Sequence, residues 1–263
     1  MTIAAFIAPI ALSLALAGCA RGDDLDRTRA LFAGSAIDPQ TATDLGFTVT
    51  RDRDGVTLSD RDGGCSSRGV YRVRSGGGSP VAITAPHGTS DRGTRALASA
   101  LFEDGFGAAA AWNSAPRLTT SQCPGFDLAR AGDHAFTAFA LGFSDRFPDG
   151  LVVQLHGFDG DRRTSAGAAD AAMIVSDASR TPSARILDIA DCLSAALAPR
   201  TVLVFPVETG ELGALQNAQA EALHAKGHSG FAHLELSLDL REALLDDGLL
   251  RAGFGKCISG EAA

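Results

Sequence analysis

The chain has 263 residues, 45% of them hydrophobic and 21% charged, so it can bury a large core and is not disordered throughout. It carries 23 Lys and Arg against 31 Asp and Glu, which gives a formal net charge of −8 at pH 7. An acidic chain lacks the positive surface that nucleic-acid binding needs, so no nucleic-acid partner is expected.

The first segment is uncharged and mostly apolar. The apolar stretch Ile3–Ala17 is too short to span a bilayer comfortably and ends in Leu16-Ala17-Gly18-Cys19. It resembles a bacterial lipoprotein signal. The resemblance implies a signal peptide over residues 1–18 and a lipid anchor on Cys19, with Ala20 indicating the outer membrane, facing the periplasm. A short buried N-terminal helix is the alternative.

The remainder is predicted to be a tether with a short helix, residues 19–46, and a single domain, residues 47–263, because no linker divides the latter. Segments 47–50, 55–58 and 69–73 have alternating patches separated by Asp-Gly and Gly-Gly turns. This pattern predicts antiparallel strands at the edge of a sheet.

From Pro80 onward, strands that are apolar on both faces alternate with segments of helical spacing. The predicted strands are 81–85, 151–155, 171–175, 201–205 and 231–236, and the predicted helices are 95–106, 135–143, 182–197, 215–226 and 239–250. This alternation predicts an α/β fold, a three-layer sandwich with a mixed, largely parallel central sheet.

Four cysteines remain besides Cys19, namely Cys65, Cys123, Cys192 and Cys257. An even number in an exported chain predicts two disulfides, and three pairings are possible. Proximity along the chain favours Cys65 with Cys123 and Cys192 with Cys257, although the sequence does not choose between the pairings.

Residues able to bind a metal lie at the ends of buried strands, where ligands collect in open α/β sheets. His87 and His156 each follow such a strand, Asp91 comes four residues after His87, and Glu235 lies within strand 231–236. Two imidazoles and a carboxylate are ligands of a catalytic zinc, and a further carboxylate can serve as general base. A lone His in a turn is usually structural, but three strand ends together favour a Zn²⁺ site with Glu235 as base. His233 shares the face of Glu235 and is expected to support the site.

The segment Ala85-Pro86-His87-Gly88-Thr89-Ser90-Asp91-Arg92-Gly93-Thr94 resembles the first metal motif of the zinc carboxypeptidase-like hydrolases. The similarity is greatest to the branch with phage poly-gamma-glutamate hydrolase and N-formylglutamate amidohydrolase-like proteins. Val152–Phe158 resembles the strand with the second His, and Leu234–Ser237 the strand with the catalytic Glu. The acidic ligand departs from the carboxypeptidases proper, which have Glu three residues after the His; without Asp91, water or another carboxylate such as Asp133 would complete the site.

The resemblance implies a phosphorylase/hydrolase-like fold and a zinc-dependent amidohydrolase or peptidase. Its substrate would be a small peptide or an N-acyl amino acid, glutamyl compounds included, in the cell envelope. Members of this superfamily hold a substrate carboxylate with Arg and an amide, so Arg241, Asn217 and Arg163 are the candidate substrate-binding residues. The alternatives are a non-catalytic lipoprotein that binds a metal or ligand, and a structural envelope protein in which Glu235 faces solvent far from His87.

Overall fold

The structure is a computed structural model that describes residues 11–61, 65 and 67–261, with residues 11–21 described by their backbone only. Most of the predicted signal peptide and the side chain of Cys19, the predicted lipid anchor, therefore lie outside the described residues. In the part of the chain that the structure describes, no helix combines the length and the apolar character needed to span a membrane.

Nine strands within the described residues form one mixed sheet in the order β1-β2-β3-β5-β4-β6-β9-β7-β8. The strands are β1 (Phe47–Arg51), β2 (Gly55–Asp60), β3 (Val70–Arg74), β4 (Val81–Ala85), β5 (Ala109–Trp112), β6 (Leu151–Gly157), β7 (Met173–Ser176), β8 (Val202–Val204) and β9 (Phe231–Leu236). Strands β5, β4, β6 and β9 are parallel and form the centre, whereas β1 to β3 form the predicted antiparallel edge. The predicted α/β class is confirmed.

Helices cover both faces of the sheet. They are α1 (Ala11–Ala33), α2 (Pro39–Asp44), α3 (Thr94–Glu103), α4 (Ala135–Arg146), α5 (Ala166–Asp170), α6 (Ala184–Ala196), α7 (Ala218–Ala225), α8 (Leu238–Asp246) and α9 (Gly248–Ser259). Helices α3, α6, α8 and α9 contribute to one core and α1, α4 and α7 to the other. Successive strand residues alternate between the two cores, so Ile83 and Val153 face one and Ala82 and Val152 the other. This alternation explains why the central strands are apolar on both faces.

The sheet order brings the predicted site residues to one edge. Strand β4 pairs with β5 on one side and β6 on the other, so the order in which the strands are added to the sheet reverses at β4. Such a reversal leaves a crevice at the carboxyl ends of the strands. Strand β9 is the other neighbour of β6, with His156 opposite Glu235 in the parallel register. His87, His156 and Glu235 thus lie at the carboxyl ends of three adjacent strands.

Two local predictions differ from the structure. Strand β5 was not predicted, because it reads Ala-Ala-Ala-Trp and alanine has little preference for strands; burial between β3 and β4 determines its conformation. The single helix predicted over 239–250 is two helices. Asp247 has extended backbone, and its carboxylate accepts hydrogen bonds from the amides of Leu249 and Leu250, which starts α9.

The segment predicted as a tether contributes to the core. Helix α1 packs on α4, and Leu31, Phe32 and Leu45 are buried. Gly142 in α4 faces the backbone of α1 so closely that an added Cβ would lie 2.3 Å from the carbonyl oxygen of Arg29. Packing therefore extends to residues before Phe47.

The structure contains both expected disulfides, Cys65–Cys123 and Cys192–Cys257. The first joins the antiparallel edge of the sheet to the loop that follows β5, and the second joins α6 to α9. The pairing favoured by proximity along the chain is confirmed.

Candidate metal centre

The first two ligand candidates come from one turn after β4. His87 is 3% exposed, and its carbonyl oxygen accepts hydrogen bonds of 2.8 Å from the amides of both Ser90 and Asp91. The turn folds the carboxylate of Asp91 back toward the ring of His87. The Asp91 carboxylate also accepts a 3.1 Å hydrogen bond from the amide of Gly157, which fixes it against the end of β6.

Three atoms meet at nearly equal separations. The Nδ1 atoms of His87 and His156 are 3.2 Å apart, and Asp91 Oδ2 lies 3.5 Å from the former and 3.6 Å from the latter. Two ligand atoms bound at about 2.1 Å to one tetrahedral zinc lie about 3.4 Å apart. The donor set and its spacing are therefore suited to hold one metal ion of this kind.

The outer nitrogen of His87 is held by a residue that the sequence did not indicate. His87 Nε2 lies 2.7 Å from Asp127 Oδ1, and Arg117 contacts the other oxygen of that carboxylate at 3.1–3.2 Å. The hydrogen bond with His87 lowers the pKa of Asp127 to about 2, so the carboxylate is ionised and only accepts. His87 Nε2 then carries a hydrogen, and Nδ1 faces Asp91 and His156.

These groups attract positive charge to the point where they meet. Burial lowers the pKa of His87, but hydrogen bonds with Asp127 and Asp91 outweigh burial and raise it overall. The pKa of Asp91 is strongly lowered despite burial, because both imidazoles contact its carboxylate. His156 is different: burial dominates and lowers its pKa. The site therefore favours an anionic Asp91 and a cation beside it.

Glu235 lies beside the three candidate ligands. It is 9% exposed, and burial together with the charge of Asp91 raises its pKa to about 7. The ring of His233 packs against that of His156 with centroids 4.5 Å apart, and His233 Nε2 is 3.6 Å from Glu235 Oε1. A Glu235 that faces solvent far from His87, as a structural envelope protein would have, does not match this arrangement.

A cavity of about 660 Å³ opens onto the site and is lined by all four residues together with His233. Its positively charged lining residues are Arg117, Arg130, Arg162 and Arg163. Arg163 is paired with Glu211, 3.7 Å from it, and Glu211 also accepts hydrogen bonds from the amides of Thr164 and Ser165. These contacts fix one wall of the cavity.

The three candidate substrate-binding residues are placed differently. Arg163 lines the cavity, and so does Asn217, whose amide caps α7 and donates to Gln154. Arg241 is buried and does not line this cavity, and its guanidinium donates to the carbonyl oxygens of Ser237 and Arg92. Asp133, the alternative carboxylate, is exposed and lies outside the cavity lining.

No protein-family model matches the sequence, and no curated protein is significantly similar to it. Among solved structures, the chain is similar to N-formylglutamate amidohydrolase from Ralstonia eutropha JMP134, with 12% identity, coverage of 73% of this chain and 97% of that one, and a TM-score of 0.46. It is also similar to bacteriophage poly-gamma-glutamate hydrolase, with 13% identity, coverage of 70% of this chain and 84% of that one, and a TM-score of 0.37.

A third similar structure is succinylglutamate desuccinalase from Vibrio parahaemolyticus, with 11% identity, coverage of 84% of this chain and 79% of that one, and a TM-score of 0.44. These solved structures belong to the zinc carboxypeptidase-like superfamily that the sequence motifs resemble.

Proposed function

We propose that this chain is a zinc-dependent hydrolase of amide bonds. The observation that supports the proposal is the convergence of His87 Nδ1, His156 Nδ1 and Asp91 Oδ2 within 3.2–3.6 Å of one another, beside a buried glutamate. Zinc suits two imidazoles and one carboxylate in a tetrahedral arrangement that keeps a position open for substrate or water.

When bound, zinc would polarise a substrate carbonyl and make water easier to deprotonate. Glu235 is the residue suited to move the proton. Burial raises its pKa to about 7, so near neutral pH it can accept a proton from water and give it to the leaving amine. Asp127 would hold the ring of His87 in the orientation for binding, since it accepts the hydrogen of Nε2.

The cavity supports a substrate that carries a carboxylate. A guanidinium matches carboxylate geometry, and Arg163 is the best-placed candidate because it lines the cavity and is held by Glu211. Arg241 is a weaker candidate, since it is not among the residues that line this cavity. We propose peptide-like or N-acyl amino acids, including glutamyl compounds, as the substrate class.

We also propose that the protein works in the cell envelope, attached through a lipid on Cys19 to the outer membrane and facing the periplasm. The lipoprotein-like segment that ends at Cys19 supports this location. The two disulfides, Cys65–Cys123 and Cys192–Cys257, are in keeping with an oxidising compartment.

The test compares zinc content and amine release for the wild type, Glu235→Gln and His87→Ala, on a panel of N-acyl amino acids and gamma-glutamyl peptides. We expect zinc in the wild type, loss of zinc in His87→Ala, and retained zinc with turnover lowered about 10²- to 10⁴-fold in Glu235→Gln. Glu242→Gln, an exposed glutamate paired with Arg92, is the matched control. Zinc without turnover on any compound would favour the alternative, a non-catalytic metal-binding lipoprotein.

A further inference from the structure

A chain of buried amide side chains lies behind His156. Gln154 precedes it by two residues in β6, and Asn217 and Gln219 lie at the start of α7. The exposed fractions are 0% for Gln154 and Gln219, 4% for His156 and 6% for Asn217. Because water hardly reaches these groups, each donor and acceptor must find its partner within the protein, and the direction of every hydrogen bond can be assigned.

The chain of hydrogen bonds starts from a backbone carbonyl, which can only accept. Gln219 Nε2 donates to the carbonyl oxygen of Leu128 at 2.9 Å and to Thr137 Oγ1 at 2.7 Å. Thr137 Oγ1 gives its own hydrogen to the carbonyl oxygen of Ala131, so it accepts from Gln219. The nitrogen of the Gln219 amide therefore faces Leu128, and its oxygen faces the sheet.

The orientation of the Gln219 amide determines that of the Gln154 amide. Gln219 Oε1 accepts from Gln154 Nε2 at 2.9 Å, so the oxygen of the Gln154 amide faces away. Asn217 supports the same orientation independently. Its Oδ1 accepts from the amides of Gln219 and Ala220 as the cap of α7, and its Nδ2 donates to Gln154 Oε1 at 2.7 Å.

Gln154 Oε1 then faces the outer nitrogen of His156, at 3.2 Å from Nε2. An amide oxygen only accepts, so Nε2 of His156 carries the hydrogen, and the neutral ring has a free lone pair on Nδ1. That Nδ1 is the atom 3.6 Å from Asp91 Oδ2 and 3.2 Å from His87 Nδ1.

We propose that Gln154, oriented by Gln219 and Asn217, is a positioning residue that fixes His156 in the tautomer able to bind a metal. The carboxylate of Asp91 competes for the same hydrogen, because a hydrogen on Nδ1 would point toward it. Gln154 gives the hydrogen a nearer partner, at 3.2 Å from Nε2 against the 3.6 Å between Nδ1 and Asp91 Oδ2, and keeps Nδ1 free. The consequence for metal affinity rests on the proposed function, whereas the tautomer itself does not.

The experiment uses the full chain and two measurements. Nitrogen-15 NMR of the metal-free protein, labelled at histidine, reports which ring nitrogen of His156 carries the hydrogen, and competition with a chelator gives the zinc affinity. In Gln154→Leu we expect hydrogen to move to Nδ1 and the zinc affinity to fall about 10- to 100-fold. In Gln154→Glu, a carboxyl group protonated on the oxygen that faces Gln219 Oε1 still presents its other oxygen to His156 Nε2. This variant is expected to retain the tautomer and most of the affinity.

Two further variants separate positioning from general loss of a buried hydrogen bond. Thr84 is the cross-strand neighbour of Gln154 in β4, is 1% exposed and donates to the carbonyl oxygen of Val153. Thr84→Val removes a comparably buried hydrogen bond, yet should leave the tautomer and the zinc affinity unchanged. In Gln219→Leu we expect a smaller change than in Gln154→Leu, because Asn217 still orients Gln154.

An unchanged His156 tautomer in Gln154→Leu, with the fold retained, would overturn the proposal, and so would an equal loss of zinc affinity in Thr84→Val. An unchanged His156 tautomer in Gln219→Leu would show that Gln219 is not needed to orient Gln154. If Gln154→Leu does not fold, Gln154→Glu and the wild type still test the proposal. Loss of the Nε2 tautomer of His156 in Gln154→Glu would contradict the role of Gln154. A wild type that has the expected tautomer but binds no zinc would refute the proposed function alone.

Discussion

Removing the carboxylate of Asp127 should weaken metal binding without unfolding the protein. Its hydrogen bond to His87 Nε2 is 2.7 Å long and involves a charge, so it is stronger than a neutral one. Partners of this kind affect metal affinity by about 10- to 100-fold, equivalent to about 1.4–2.7 kcal/mol. The Asp127 side chain is 28% exposed, so water can partly replace it. We therefore expect about a tenfold loss of zinc affinity in Asp127→Ala, near the lower limit.

Asp127→Asn should have a smaller effect. Its single amide oxygen can accept from His87 or from Arg117, but not as well from both as the carboxylate does. The assay is competition between each variant and a chelator of known zinc affinity at neutral pH. Asp145→Asn is the matched control, because Asp145 is 30% exposed and paired with Arg29 at 2.6 Å, outside the cavity. Zinc affinity in Asp127→Ala equal to that of the wild type would refute the assignment of His87 Nδ1 as a ligand atom.

Three other predictions concern stability. Zinc at a concentration of about a thousand times its dissociation constant should stabilise the fold by about 4 kcal/mol. Thermal unfolding with zinc and with a chelator measures this difference. Gly142→Ala should lower the free energy of unfolding, measured with denaturant, by about 1–3 kcal/mol, because the added Cβ would lie too close to Arg29 O. Gly253→Ala in α9 is the control and should not destabilise the fold, because its Cβ would meet nothing closer than 3.7 Å. Asp145→Asn should cost about 1 kcal/mol. Since pairing with Arg29 lowers the Asp145 pKa from 3.8 to about 2, that difference should be present above about pH 4 and vanish as the pH falls toward 2.

The sequence predicts the candidate ligands because the signal is local. His87 and His156 each end an apolar strand, and strands of this kind place their carboxyl ends at one edge of the sheet whatever their order. The order itself is set by packing between distant segments. That β9 lies next to β6, with Glu235 opposite His156, is therefore a result of the structure.

Asp127 shows what sequence reasoning missed and why. It lies in an irregular loop with no hydrophobic periodicity, 40 residues from His87, and only the folded chain brings it to His87 Nε2. Gln154 did have a signal, since it is an amide in the middle of an otherwise apolar strand. A buried glutamine in such a strand needs partners for its donors and its acceptor, and that requirement could have pointed to a polar network beneath the site.

The core beneath the cavity explains why this arrangement favours a bound cation. Burying imidazoles and carboxylates without partners costs free energy, and here the outer nitrogens of His87 and His156 are both satisfied, by Asp127 and Gln154. The inner Nδ1 atoms are left facing each other and Asp91 Oδ2 at 3.2–3.6 Å, and these three atoms repel one another unless a proton or a cation lies between them. A proton relieves one of these contacts, but a divalent ion relieves all of them at once. Selective satisfaction of the outer nitrogens therefore leaves the point between Asp91 and the two rings able to hold a cation, which supports the proposed metal site.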